Sequence, residues 1–325
     1  MRHIPISAVD EAATAIYAAA VRTPIVRLDV PARTLGGEDV EVYLKLECLQ
    51  PIGSFKLRGA YNAVRQLSPH ELKDGVWTVS AGNAAQGVAF AARAVGASCS
   101  VMVMDTAPET KVRSIERLGA SIVRATYDEC WKTVETHASD RMHGHFVHPF
   151  DDDAFIAGNA TAGLEILHDL PGVSTIVAAI GGGGLLAGIA AVMAARRPDV
   201  RVVAAEPETA SPLALSLAAG SPQRFDAWRS SFVDGAGGRS VLPSMWPLLR
   251  GAVAESLIVT LDDAAVAMRL AAERTHVIIE GAAACAVAAA LSGRAGAGKV
   301  VAVVSGGNID LSRFSTLVGA CAPPV

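Results

Sequence analysis

Residues 174–195, STIVAAIGGGGLLAGIAAVMAA, hold no charged side chain and match the length of about 20 apolar residues that a bilayer-spanning helix needs. Four consecutive glycines, Gly181–Gly184, interrupt the run at its middle, where a membrane helix would be weakened most. The stretch therefore reads as a strand, a glycine turn and a helix, and RVVAAE at 201–206 supplies the next strand. Two parallel strands need a crossover, so this segment commits the chain to an open parallel sheet covered by helices. Amides freed at the turn would point at an anion, as phosphate-cradling loops do.

The same alternation runs along the rest of the chain. A helix is expected in the first 20 residues, capped near Ser7, then strands at TPIVRL (23–28) and EVYLKLECL (41–49), and a helix over 59–67. GVWTVSAGN (75–83) is a strand ending in a turn and AAQGVAFAARAVG (84–96) a helix. CSVMVM (99–104), a helix over 108–119, SIVRA (121–125) and a helix over 128–142 follow. After the glycine turn come helices at 261–276 and 280–293 and a buried strand, KVVAVV (299–304). Larger and smaller units are expected: residues 1–70 with 150–325, and a mobile lobe of 71–149.

With 51% hydrophobic and only 18% charged residues, the chain must bury much of its surface, in cores and in an expected homodimer contact. A net charge of −4 without a Lys/Arg run excludes a polyanion footprint, so nucleic acid is not an expected partner. No signal-peptide core or membrane span is read, which predicts a cytoplasmic protein. Five scattered cysteines without CxxC spacing, Cys48, Cys99, Cys130, Cys285 and Cys321, fit reduced core fillers. His143, His145 and His148 are close in sequence, yet a structural role is expected over a metal site.

The chemistry centres on Pro51–Ala60, PIGSFKLRGA. Lys56 between Phe55 and Leu57 is placed for desolvation, which lowers an amine toward its neutral nucleophilic form. The same ten residues also fit Ser54 as an N-cap, Lys56 and Arg58 as a solvated helix start and Gly59 as a packing glycine. Three turns at strand ends, SAGN (80–83), GGGG (181–184) and SGGN (305–308), would meet at one crevice of a parallel sheet. They would bring to Lys56 a phosphate cradle, an amide side chain and a hydroxyl. A rival stands in Gly182, Gly184 and Ala187, which satisfy G-x-G-x-x-A with Glu206 ending the next strand, a nicotinamide fingerprint. Such a site leaves Lys56 without a use.

Taken together, SFKLRGA, SAGNAAQGVA, HPFDD, GGGGLLAG, AAEPE, VDG, EGAAA and SGGNID occur in an order that resembles the fold-type II pyridoxal-phosphate enzymes, specifically serine/threonine dehydratases and serine racemase. The resemblance implies an α/β fold of two domains, each an open, mostly parallel twisted sheet flanked by helices. It implies pyridoxal 5'-phosphate as cofactor, held by Lys56 as a Schiff base. Phe55 would lie against the ring, Asn83 on the ring hydroxyl, and Ser305 at the pyridine nitrogen. Gly181, Gly182, Gly183 and Gly184 would bind the phosphate, with Leu185 and Gly235 also at the cofactor; Glu280 would be either a further partner near the ring or a helix N-terminal acid favoured by the dipole. Ser80, Ala81, Gly82, Asn83 and Ala84 would receive the substrate carboxylate.

These roles imply dehydration and deamination of a β-hydroxy L-amino acid to a 2-oxo acid and ammonia, with racemisation or β-replacement as alternatives. Ala81 stands where racemases carry a proton-transferring serine, which favours the lyase. Ala84 and the segment Gly158–Asn159–Ala160–Thr161 depart from the threonine-dehydratase pattern where a substrate pocket is expected, which admits a bulkier substrate such as 3-phenylserine. At the racemase-like divalent site, Glu206 and Ala210 are present but Pro212 replaces the second acid, so a monovalent ion or none is expected.

Overall fold

The computed structural model describes residues 2–30 and 40–320; Cys321 falls outside them. Among the described residues, ten strands form two sheets. The larger joins β1 (Ile25–Arg27), β2 (Val40–Leu46), β10 (Gly298–Val304), β7 (Val173–Ala179), β8 (Arg201–Pro207) and β9 (Glu255–Val259), in that spatial order. The smaller runs β5 (Ser121–Ala125), β4 (Cys99–Met104), β3 (Val76–Val79), β6 (His145–Phe146). All pairings are parallel except β1 with β2.

The helices supply the crossovers: α1 (Ile6–Ala15), α2 (Lys56–Val64), α3 (Pro69–Leu72), α4 (Asn83–Val95), α5 (Glu109–Glu116), α6 (Tyr127–Thr136) and α7 (Asp153–Asp169). The later ones are α8 (Gly184–Arg196), α9 (Pro212–Ala219), α10 (Trp246–Leu249), α11 (Leu261–Thr275), α12 (Gly281–Leu291) and α13 (Leu311–Ala320).

β10 lies between β2 and β7, with Val300 opposite Val42 on one side and Thr175 on the other. Buried on both faces, its Val300–Val304 run is wholly apolar, the pattern a parallel central strand requires. α12 packs over this sheet with every residue from Gly281 to Leu291 buried; its alanines let the helix axis approach closely. A Leu44→Ala cavity in this core would cost about 2–5 kcal/mol. No helix among the described residues is long and apolar enough to cross a membrane, so the charge-free run at 174–195 is a strand, turn and helix.

Several local expectations need correction. α1 starts at Ile6 behind Pro5, not at a Ser7 cap, because proline already fixes the extended φ of −63° an N-cap needs. The second strand stops at Leu46, and Glu47–Leu49 form a 3-10 turn that carries a buried acid. The following helix spans Lys56–Val64 rather than 59–67. α6, expected to reach 142, ends at Thr136 because His137 turns left-handed at φ 57° and redirects the chain toward β6. Arg58 is not solvated: it is 0% exposed inside an ion network. Cys48, Cys99, Cys130 and Cys285 are free thiols, three of them buried.

Candidate active site

Lys56 is fixed by pairing between its own turn and the loop after β10. Phe55 N–H donates to Ser305 O at 3.0 Å, Gly307 N–H to Gly53 O at 2.9 Å, and Asn308 Nδ2 to Ile52 O at 2.8 Å. Ser54 is no helix cap: Phe55 occupies that position, and Ser54 bridges Gly306. From the first position of α2, Lys56 Nζ donates to Pro149 O at 2.5 Å and lies 5.3 Å from the ring centres of Phe55 and Phe155. Burial pushes this amine down to about 8, against the opposing charge of Glu280.

The glycine turn leads β7 into α8. Gly183 caps α8 at φ 92°, a conformation other residues adopt only under strain. At Gly182 a Cβ would sit 2.1 Å from Phe150 Cγ, so only glycine permits the two segments to touch. The amides of Gly181, Gly182, Gly183 and Gly184 donate to no acceptor among the described residues. Unpartnered amides at the positive end of a helix are the donor set that a phosphate group matches.

Opposite, the Ser80–Gly82 turn opens α4, and Gly82 N–H donates to Ser80 Oγ at 3.1 Å. Asn83 Nδ2 donates to Glu280 Oε1 at 2.8 Å, while its Oδ1 accepts from Asn308 Nδ2 at 2.7 Å. Burial raises the Glu280 carboxyl to about 7, opposed by the Asn83 bond. Ser305, 4% exposed, lies at the end of β10.

All the cleft residues nominated from sequence, namely Phe55, Lys56, Ser80–Ala84, Gly181–Leu185, Gly235, Glu280 and Ser305, line one cavity of about 1030 Å³. Glu206 and Ala210 stand off it. The Glu206 carboxylate accepts from Leu213 N and Ala214 N, both at 2.8 Å, and from Ser256 Oγ at 2.6 Å. With two amides from the start of α9 and a hydroxyl from β9 on its oxygens, Glu206 is held as a structural acid would be. Asn159 is not in the cleft either; it is buried in α7 and accepts from Gly59 N at 3.1 Å, so the expectation that this departure shapes the pocket is corrected. Among the histidines, His148 approaches His137 and Asp151 rather than His143 and His145.

Sequence reasoning missed Pro149, Phe150 and Asn308 as cleft residues. HPFDD and SGGNID flagged their segments, but a backbone carbonyl and a bridging amide leave no signature in residue type.

An amine brought near neutrality, unpartnered loop amides and an apolar ring beside them fit pyridoxal phosphate, whose aldehyde, phosphate and flat ring need those three features.

The description "Pyridoxal-phosphate dependent enzyme" matches residues 16–306. An L-threonine ammonia-lyase of Thermotoga maritima is 36% identical over 300 residues, covering 91% of this chain and 74% of that protein. Among solved structures, maize serine racemase superposes with a TM-score of 0.89 at 30% identity, covering 97% of each chain. The processed threonine deaminase isoform 2 of Solanum lycopersicum gives 0.86 at 29% identity, covering 97% of this chain and 92% of that one.

Proposed function

Because this chain belongs to the pyridoxal-phosphate-dependent enzyme family, with the fold-type II architecture, we propose that it is a lyase converting a β-hydroxy L-amino acid of the threonine/serine class to a 2-oxo acid and ammonia. The observation that carries this reading is the company of Lys56: a near-neutral amine among unpartnered loop amides, with Ala81 facing the same cleft.

When bound, pyridoxal phosphate supplies an aldehyde for an amine and a conjugated ring that draws electrons from the adjacent carbon. The chain's residues do the rest. Lys56 Nζ would be the amine that holds the cofactor's aldehyde and, when free, the neutral base that takes the Cα proton. The amides at the start of α4 receive the substrate carboxylate. Ser305 would offer the ring nitrogen a hydroxyl where a carboxylate would favour its protonation, so charge developing at Cα would be weakly held. That charge would pass into a new Cα–Cβ double bond as the β C–O bond breaks, the hydroxyl leaving as water with a proton that balances the one Lys56 took from Cα. The released enamine takes up water and loses ammonia. Threonine deaminase and serine racemase relatives superpose about equally well, and Ala81, unable to carry a proton to the opposite face, favours the lyase.

A larger β-substituent, such as the phenyl of 3-phenylserine, is favoured by a second cavity of about 540 Å³. It opens from the main cleft, sharing Ser80, Ala81, Gly182, Met104, Trp131, Val134 and Phe150 with it and adding Met102 and Leu249. An apolar chamber beside a methyl-sized substrate would go largely unused. Its walls come from the 71–149 lobe on one side and the 228–242 loop on the other. They meet through Lys111 with Asp234 and through Arg239, stacked 4.8 Å from Tyr127 and 4.1 Å from Trp228; these contacts would part if the lobe opens.

The test is kcat/KM for serine, threonine and 3-phenylserine, on wild type and Val134→Trp. The expected result is a preference for phenylserine of about tenfold or more in wild type, lost in the filled variant. Equal values for threonine and phenylserine would remove the enlarged pocket, and no turnover of any of the three would remove the lyase.

A further inference from the structure

His148 holds no role in the reaction above, yet the segment it opens supplies the carbonyl on which the Lys56 amine rests. His148 is 2% exposed and sits where the chain leaves β6 for α7. Its Nε2 lies 3.1 Å from Val134 O, a group that only accepts, so Nε2 carries the hydrogen. Its Nδ1 lies 2.7 Å from Asp151 N and 3.2 Å from Phe150 N, groups that only donate, so Nδ1 is bare. One form of the ring, the neutral Nε2–H imidazole, satisfies all three. Burial pushes His148 down to about 4, against the charge of Asp151; His137 and Lys56, which also face it, act in the same direction as burial.

Pro149 O is directed to Lys56 Nζ at 2.5 Å. Phe150 stacks edge-on to His148 with ring centres 4.6 Å apart and meets the glycine turn at Gly182. Asp151 is held from beyond by Arg2 and Ser244. The amine and the phosphate turn thus each touch a segment folded around one ring outside the cleft.

We infer that His148 is a positioning residue for Lys56: its bare Nδ1 gathers the Phe150 and Asp151 amides and thereby sets the Pro149 carbonyl on the amine and the Phe150 ring on the glycine turn. The competing role is a simple tie from Nε2–H to the end of α6. Two substitutions separate these roles. His148→Asn keeps an acceptor near the position of Nδ1 but falls short of Val134; His148→Gln reaches Val134 but lacks that acceptor.

The experiment measures, on apoprotein of each variant, the rate of pyridoxal-phosphate capture by visible absorption, the extent of borohydride-trapped Lys56 adduct by mass spectrometry, and then kcat against KM. Capture and kcat are scaled to the folded fraction from melting curves. His148→Asn is expected within about threefold of wild type, and His148→Gln slower by about tenfold or more in both capture and kcat with KM within about twofold. The inference is overturned if His148→Gln captures as wild type does, or if the two variants are equally slow. It rests on the cofactor reading above, whose failure looks different: wild type itself would capture nothing.

Discussion

Two buried sets of ionisable groups share helix α2, two residues apart, and they are built to opposite ends. Behind the helix, Arg58 donates to Glu47 Oε2 at 2.7 Å and to Glu165 Oε1 at 2.6 Å, while Lys45 Nζ reaches Glu165 Oε2 at 2.5 Å. Thr23, Gln50 and Tyr17 fill the remaining lone pairs of the two acids. Two cations meet two carboxylates. Burial would raise Glu47, but the Arg58 charge and hydrogen bonds outweigh it and hold the acid below its usual range. In front of the helix, Lys56 rests on a neutral carbonyl and Glu280 on a neutral amide, and burial, the largest effect on each, brings both toward neutrality. Matched charges lock the scaffold; groups denied a match become reactive.

Substitutions at neighbouring positions should separate the two functions. Lys56→Ala is expected to lower kcat by about 10⁴-fold or more with little change in unfolding free energy. Arg58→Met leaves two acids without their shared partner and is expected to cost about 3–5 kcal/mol in denaturant unfolding. A large stability loss in Lys56→Ala, or none in Arg58→Met, would erase the distinction.

Acid and base titrations should differ in the same sense. Glu47 is lowered in the fold, so its contribution to stability is present above the ordinary carboxylate pKa and is lost as the pH falls. Glu280 is raised, so its contribution is present below that value and is lost as the pH rises toward about 7. Glu280→Gln is expected to flatten stability across that second window and to lower the pH midpoint of cofactor capture, since the Glu280 charge raises Lys56. An unchanged midpoint would mean that the two groups do not sense each other.

The smallest effect concerns metal. With two amides and a hydroxyl already on Glu206, activity and melting temperature are expected to be the same in potassium, in sodium and in a large organic cation at equal ionic strength; a clear fall in either without a small monovalent cation would support a cation site at Glu206 and Ala210.

What sequence could convey follows the same division. Strands Cys99–Met104 and Ser121–Ala125 appear where their β-branched and apolar runs predict them, because sheet periodicity is local. The cleft was legible because each of its turns is a compact motif. The network behind α2 was not, since Arg58 meets Glu165 across 107 residues and Lys45 meets it across 120, and a lone arginine in a helix start carries no mark of burial. His148 was visible as part of HPFDD, but its role depends on which ring nitrogen is bare, and that is fixed only by the carbonyl and amides around it.

The central claim is that Lys56 is the amine that takes the cofactor, at the pH its burial sets. The most direct measurement is borohydride reduction of the pyridoxal-phosphate-loaded protein across a pH series, with the modified residue mapped by mass spectrometry. The account requires a visible band that reduction removes, an adduct on Lys56, and a capture midpoint near 8. An adduct on another lysine, or none after added cofactor, would contradict it.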